Sequence, residues 1–181
     1  RTVSVLRFAG KSPPLVESTK ISRYSGEMAR LDTYDKRIIA ALQEDARMPI
    51  AAVAERAALS ATPVSRRVKR LEDDGVIAGY APLLDPRKLG FELEAYVLIN
   101  LKSHSDKTIA RFETLIREHP YIVSCHAVTG DMDYILRVIA RDVEHLSQIT
   151  LKNLVRMEGV RDVKSIIALE AIKESRAPPL E

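Results

Sequence analysis

The sequence predicts an α+β protein of two domains, a helical one first and a helix-covered sheet second. Three observations carry that expectation. Residues 28–80 place apolar side chains at helical spacing, interrupted by short turn signals. From Phe91 the period changes to alternation, with Phe91, Leu93, Ala95, Val97, Ile99 and Leu101 sharing one face. Helical and alternating stretches then succeed one another in the order βαββαβ.

Residues 1–27 stand apart from the rest of the chain. Lys11-Ser12-Pro13-Pro14 breaks any helix, and Ser, Arg and Gly recur without periodicity. This segment reads as a disordered or non-native N-terminal extension, with Met28 as the natural initiator. A targeting peptide fits less well, because the apolar run from Val3 to Ala9 is short and broken by Arg7. A basic arm of this kind would add non-specific contacts to a polyanion.

The first domain is expected over residues 28–80. Its first helix runs from about Thr33 to Glu44, opened by Asp32 with Asp35 three residues on, a capping box with Asp in place of Glu. Ile38, Ile39 and Leu42 face inward. Pro49 opens a second helix with Val53 and Ala57 on its apolar edge, and Leu59 plugs the turn after it. Turns of this kind often carry Gly where this chain has Ala58; a positive φ there would cost roughly 1 kcal/mol.

The third helix, Ala61 to Glu72, carries the chemistry. Ser60 is its N-cap and Pro63 sits in its first turn. Val64, Val68 and Leu71 form one apolar stripe. At roughly 100° per residue, Thr62, Arg66 and Lys69 point away from that stripe, flanked by Ser65 and Arg70. Arg67 lies nearer the core edge, where it reaches a phosphate or a neighbouring helix. No carboxylate interrupts the face before Glu72. Cations there neutralise phosphates, and Arg, Ser and Thr hydrogen-bond base edges in a major groove. The two helices and their turn read as a helix-turn-helix, with double-stranded DNA as the partner. The candidate DNA-binding residues are Ser60, Thr62, Pro63, Ser65, Arg66, Arg67, Lys69 and Arg70. Thr62, Ser65 and Arg66 are the base readers; Lys69, Arg70 and Arg67 hold phosphates. Gly75-Val76-Ile77-Ala78-Gly79-Tyr80 forms a strand or wing behind the helix, which makes the domain a winged helix-turn-helix.

Residues 81–90 form the hinge, punctuated by Pro82, Asp85-Pro86 and Gly90, with Asp85 capping a single turn started by Pro86. The second domain spans 91–174. A helix from Asp106 to His119 presents Ile109, Phe112, Leu115 and Ile116 on one side. Ile122 to Val128 is a strand, Thr129 to Met132 a turn, and Asp133 to Ala140 the return strand. A second helix spans Asp142 to Met157 and stops at Gly159; a last strand covers about Val160 to Ile172. The pattern is ferredoxin-like. Residues 175–181, with Ala177-Pro178-Pro179, read as a loose tail. A four-stranded sheet with both helices on one face leaves the other face open. Tyr96, Leu98, Val123 and Cys125 are too many apolar residues for a water-facing sheet, although their division between the two faces stays open. An exposed apolar face predicts self-association.

Composition narrows the classes. The chain has 181 residues, 46% hydrophobic and 29% charged, with no apolar run long enough to span a bilayer. Its single cysteine, Cys125, cannot form an internal disulfide, which fits a reducing, cytoplasmic setting. His104, His119, His126 and His145 lack metal-ligand spacing. The net charge of +3 is uneven: +3 over residues 1–27, +1 over 28–80 and −2 over 91–174. The DNA reading therefore rests on local placement of charge. Ser124 and His126 share one strand face and Cys125 takes the other, so no nucleophile–base pair is implied and no catalytic residue or cofactor is expected.

These motifs resemble a family. Leu31-Asp32 with Asp35, Asp45-Ala46-Arg47, Leu59-Ser60, Arg67-Val68-Lys69-Arg70-Leu71-Glu72 and Gly75-Val76-Ile77 with Gly79-Tyr80 are similar to the first domain of the Lrp/AsnC (leucine-responsive, or feast/famine) transcription regulators. Val128-Thr129-Gly130-Asp131-Met132-Asp133-Tyr134 and Gly159-Val160 extend the match over about residues 28 to 173. The resemblance implies a DNA-binding regulator that pairs its second domains into dimers or larger homo-oligomers and responds to an amino acid or related small molecule. It also implies that the loop at Gly130, Asp131 and Asp133 lies near the effector cleft. There a carboxylate would take the effector's ammonium, and backbone N–H groups of the Gly130 turn its carboxylate. The alternative is an enzyme similar to the sirohaem decarboxylases, which share this two-domain plan.

Overall fold

The structure, a computed structural model, describes residues 30–175 and 177–180. The expected N-terminal extension, with its Met28 start, lies outside the described residues. The chain forms two compact units that part between Pro82 and Leu83, inside the expected hinge; residues 177–180 group with the first.

Among its described residues the first unit has three helices, α1 (Thr33–Glu44), α2 (Ile50–Ala57) and α3 (Ala61–Asp73). The capping box at the start of α1 is formed: Asp32 Oδ1 accepts from the Asp35 N–H, and Asp35 Oδ2 from the Asp32 N–H. Two orphan donors of the helix terminus are thereby satisfied. Ile38, Val53, Ala57, Val64 and Leu71 are buried in one cluster, with Leu42, Leu59 and Val68 packed against it. Leu180 also packs on this cluster and Gln43 Nε2 donates to the Pro178 carbonyl, so the tail is not loose along its whole length.

Ala58 closes α2 in the left-handed region, at φ 55° and ψ 46°. Its N–H reaches the Glu55 carbonyl and the Leu59 N–H reaches Ala54, a paired closure that satisfies the last carbonyls of the helix. Of the strand or wing expected after α3, no strand forms. Gly75, at φ 72°, turns the chain, the Ile77 N–H returns to the Leu71 carbonyl, and residues 78–81 run on without ladder partners. A strand needs a neighbour to accept its backbone hydrogen bonds, and the described part of this unit supplies none.

In the hinge, Pro86 opens a single 3-10 turn (Arg87–Leu89), and the Asp85 side chain accepts from the Arg87 N–H, as expected.

The second unit contains β1 (Leu93–Leu101), α4 (Asp106–Glu118), β2 (Ile122–Ala127), β3 (Tyr134–Ala140), α5 (Val143–Ser147) and β4 (Val160–Ile167). The sheet is antiparallel in the order β2-β3-β1-β4. Ala95, Val97, Ile99 and Leu101 of β1 and Leu136, Val138 and Ala140 of β3 bury one face beneath Phe112 and Ile116 of α4 and Leu146, Ile149 and Leu154. Cys125 packs on that side, whereas Tyr96 stays exposed on the other. The second helix departs from the expected uniform α-helix. Residues Gln148–Leu154 are π-helical: Val155 N–H bonds the Thr150 carbonyl, five residues back, and Thr150 Oγ1 donates to the Leu146 carbonyl. The wider turn buries Ile149, Thr150 and Leu154.

Candidate nucleic-acid interface and effector loop

The third helix presents the face expected of it. Val64 and Leu71 are buried, Val68 is half-buried, and Ser60, Thr62, Ser65, Arg66, Lys69 and Arg70 are exposed. Ser60 occupies the N-cap position with extended backbone, but its hydroxyl makes no capping hydrogen bond. Pro63, half-buried in the first turn, has no N–H to leave unsatisfied. Arg66 and Lys69 have no ion-pair partner among the described residues, so their charges face solvent. Glu72 is occupied by Tyr80, whose hydroxyl donates to it at 2.8 Å.

The two remaining cations are engaged within the protein. Arg67, expected to reach a phosphate or a neighbouring helix, reaches the neighbouring helix α1. Its Nη1 donates to Asp32 at 2.7 Å and to Asp35 at 2.8 Å, which raises its already high pKa. Arg70 Nη2 donates to Asp35 at 2.6 Å, leaving only part of its guanidinium free. The reason is packing. With α1 seated against α3, the capping carboxylates meet the core edge of the reading helix, where Arg67 emerges. Asp35 is the partner of these arginines that sequence reasoning misses, because its spacing from Asp32 points to the cap alone.

In the second unit, the loop between β2 and β3 is held from both ends. Gly130 adopts φ 120° and Asp131 is exposed. Asp133 does not offer a free carboxylate. Its Oδ2 accepts from the Leu101 N–H at 2.7 Å, and its Oδ1 meets His104 Nε2 at 2.8 Å. These bonds, the backbone one first, hold its carboxyl below the ordinary aspartate range. Asn100, buried at the end of β1, donates through Nδ2 to the Asp131 carbonyl and accepts through Oδ1 from the Asp133 N–H. Sequence reasoning misses Asn100 as well; a polar residue interrupting the apolar run from Val97 to Leu101 is the signal that could have found it. The structure thus brings Gly130 and Asp131 together at the surface and turns Asp133 inward as a brace.

The chemistry elsewhere is sparse. Burial pushes the Cys125 thiol up to about 11, which leaves it a poor nucleophile at neutral pH. Among the described residues, no group of three or more His, Cys, Asp or Glu could hold a metal ion, and no helix is long and apolar enough to cross a membrane.

Comparison with known proteins gives the same division. Residues 31–78 match a family model described as winged helix-turn-helix DNA-binding, and residues 94–178 one described as Lrp/AsnC ligand binding domain. The chain is 37% identical over 151 residues to the DNA-binding transcriptional activator DecR of Escherichia coli K12, covering 83% of this chain and 99% of that protein. It is also 37% identical over 153 residues to the Bkd operon transcriptional regulator of Pseudomonas aeruginosa, covering 84% and 100%. Among solved structures, a transcriptional regulator of Neisseria meningitidis in complex with L-Met superposes with a TM-score of 0.79 at 34% identity, covering 82% of this chain and 96% of that one.

Proposed function

The chain belongs to the Lrp/AsnC family and is a DNA-binding transcription regulator, and from that premise we propose how its residues divide the work. Helix α3 enters the major groove. Thr62, Ser65 and Arg66 read base edges, and Lys69, the free edge of Arg70 and the Ser60 hydroxyl hold phosphates. The observation that carries this reading is the exposed face of Arg66 and Lys69, without an ion-pair partner among the described residues, opposite the buried Val64–Leu71 stripe. Arg67 is withdrawn from the contact set, and Pro63 shapes the first turn without contributing a donor.

The second domain binds the effector, an amino acid as in the L-Met complex of the Neisseria relative. The N–H groups around Gly130 suit its carboxylate and Asp131 suits its ammonium, while Asp133 and Asn100 brace the loop. A neighbouring subunit completes the pocket. Pairing through the open sheet face gives a homodimer or larger homo-oligomer, which supplies two reading helices to a pseudo-palindromic site. Effector binding shifts the assembly and with it DNA affinity. The protein works in the cytoplasm and has no catalytic role. The sirohaem-decarboxylase-like alternative loses support, because the two relatives are named as a transcriptional activator and a transcriptional regulator and the cations of α3 are intact.

Selection of bound duplexes from a random pool, with and without each amino acid, tests this reading. Arg66→Ala should weaken binding to the selected duplex by about 1–3 kcal/mol and relax sequence preference at the base it reads. Equal affinity of the variant and the parent would sink the assignment.

A further inference from the structure

Four cations stand on α3, and they are not equivalent. Arg67 is bound by Asp32 and Asp35, and its guanidinium lies over the Tyr34 ring, 5.6 Å from the centroid. Arg70 shares the other oxygen of Asp35. The Asp35 side chain is 1% exposed, while that of Arg67 is 23% and that of Arg70 49% exposed. A carboxylate so buried cannot turn to water when its partners leave, so detaching both arginines would strand an uncompensated charge. Asp35 is also fixed from its own side. Its backbone N–H and its Oδ2 are both engaged with Asp32 in the capping box. One pair of residues therefore starts α1 and clamps α3.

We propose that Asp35 is a positioning and specificity-determining residue for DNA binding. By holding Arg67 and one edge of Arg70, it withholds cations of the reading helix from phosphates and leaves Arg66, Lys69 and the other edge of Arg70 to the duplex. The inference rests on the reading of α3 as the DNA-binding helix. Its consequence is selectivity. Phosphate contacts strengthen binding to every sequence, whereas base contacts discriminate. Fewer free cations on α3 lower affinity for random DNA more than for the preferred site.

The test is equilibrium binding of the full chain to a random-sequence duplex and to a duplex recovered by selection, each over a salt series. Asp35→Asn keeps a side-chain oxygen to accept the Asp32 N–H but loses the charge that holds the arginines. It should steepen the dependence of log affinity on log salt by ~0.9 for each cation released to a phosphate. It should also tighten random-duplex binding and lower the preference for the selected duplex severalfold. Arg67→Gln should leave the salt slope at the parent's value. A slope flattened by ~0.9 in Arg67→Gln would place Arg67 on a phosphate and overturn the proposal. So would a folded Asp35→Asn whose slope and preference match the parent's. If Asp35→Asn melts below the assay temperature, the Arg67→Gln slope decides alone. A parent that binds neither duplex would overturn the DNA-binding reading itself, and this inference with it.

Discussion

Ala58 adopts φ 55° without the glycine that usually permits it. In L-residues that region brings Cβ against the backbone at a cost of roughly 1 kcal/mol, and Ala has no side-chain hydrogen bond to offset it. The conformation persists because it places Leu59 against the helical core and closes α2 with two backbone hydrogen bonds. Ala58→Gly should therefore raise the unfolding free energy measured in urea, by up to about 1 kcal/mol after the larger chain entropy of Gly is set against the relieved strain. A lower value would mean that the left-handed turn is not a source of strain. Among the cations, the residue scale separates Arg66 and Lys69 from Arg67 and Arg70, which the sequence alone ranks only by angle around the helix.

Elements are tied to one another by a few polar braces, and Asp133 is the clearest. Standing just before β3, it accepts from the last residue of β1 and from His104 on the segment leading to α4. Its carboxyl is held below the ordinary value, first by the Leu101 N–H and then by His104. A carboxyl with a lowered folded pKa stabilises fully above the unfolded value, near 4, and loses that contribution as pH falls through the folded value. Asp133→Asn should flatten the acid limb of stability as pH falls below the unfolded value, while leaving the slope near neutrality unchanged. Superimposable acid limbs in urea titrations of the variant and the parent would remove Asp133 from the brace. At the same scale the π-helical segment after α5 escapes any periodicity argument. An apolar face at helical spacing is compatible with either winding, and the choice follows from how Ile149, Thr150 and Leu154 fill the space under the sheet.

On the scale of the whole molecule, the second unit buries one sheet face and exposes the other. Ile166 of β4 and Tyr96 of β1 are cross-strand partners on that open face, 48% and 39% exposed. Arg137 lies beside them on β3, neutralised by Glu94 and Glu174, so the patch carries little uncompensated charge at its centre. Such a surface suits pairing with a second copy. Ile166→Glu should lower the molar mass measured by light scattering toward that of a single chain and weaken binding to a two-half-site duplex more than to a single half-site. An unchanged mass would move the interface elsewhere.

The boundaries of α1, α3 and α4, the strand-helix order of the second unit and the phase of the apolar stripe on α3 were legible from the chain, because each depends on the spacing of neighbours within a few residues. The alternation from Leu93 to Leu101 and the stripe of Val64, Val68 and Leu71 both survive intact in the fold. Only the tertiary structure decided which charged groups are paired internally. Arg67 and Arg70 meet a carboxylate more than thirty residues away, and Asp133 meets the end of another strand at similar separation. Periodicity locates the side of an element on which a side chain stands. What that side chain touches is set by which element packs there, and for an ionisable group this determines whether its charge is offered to a partner or held within the protein.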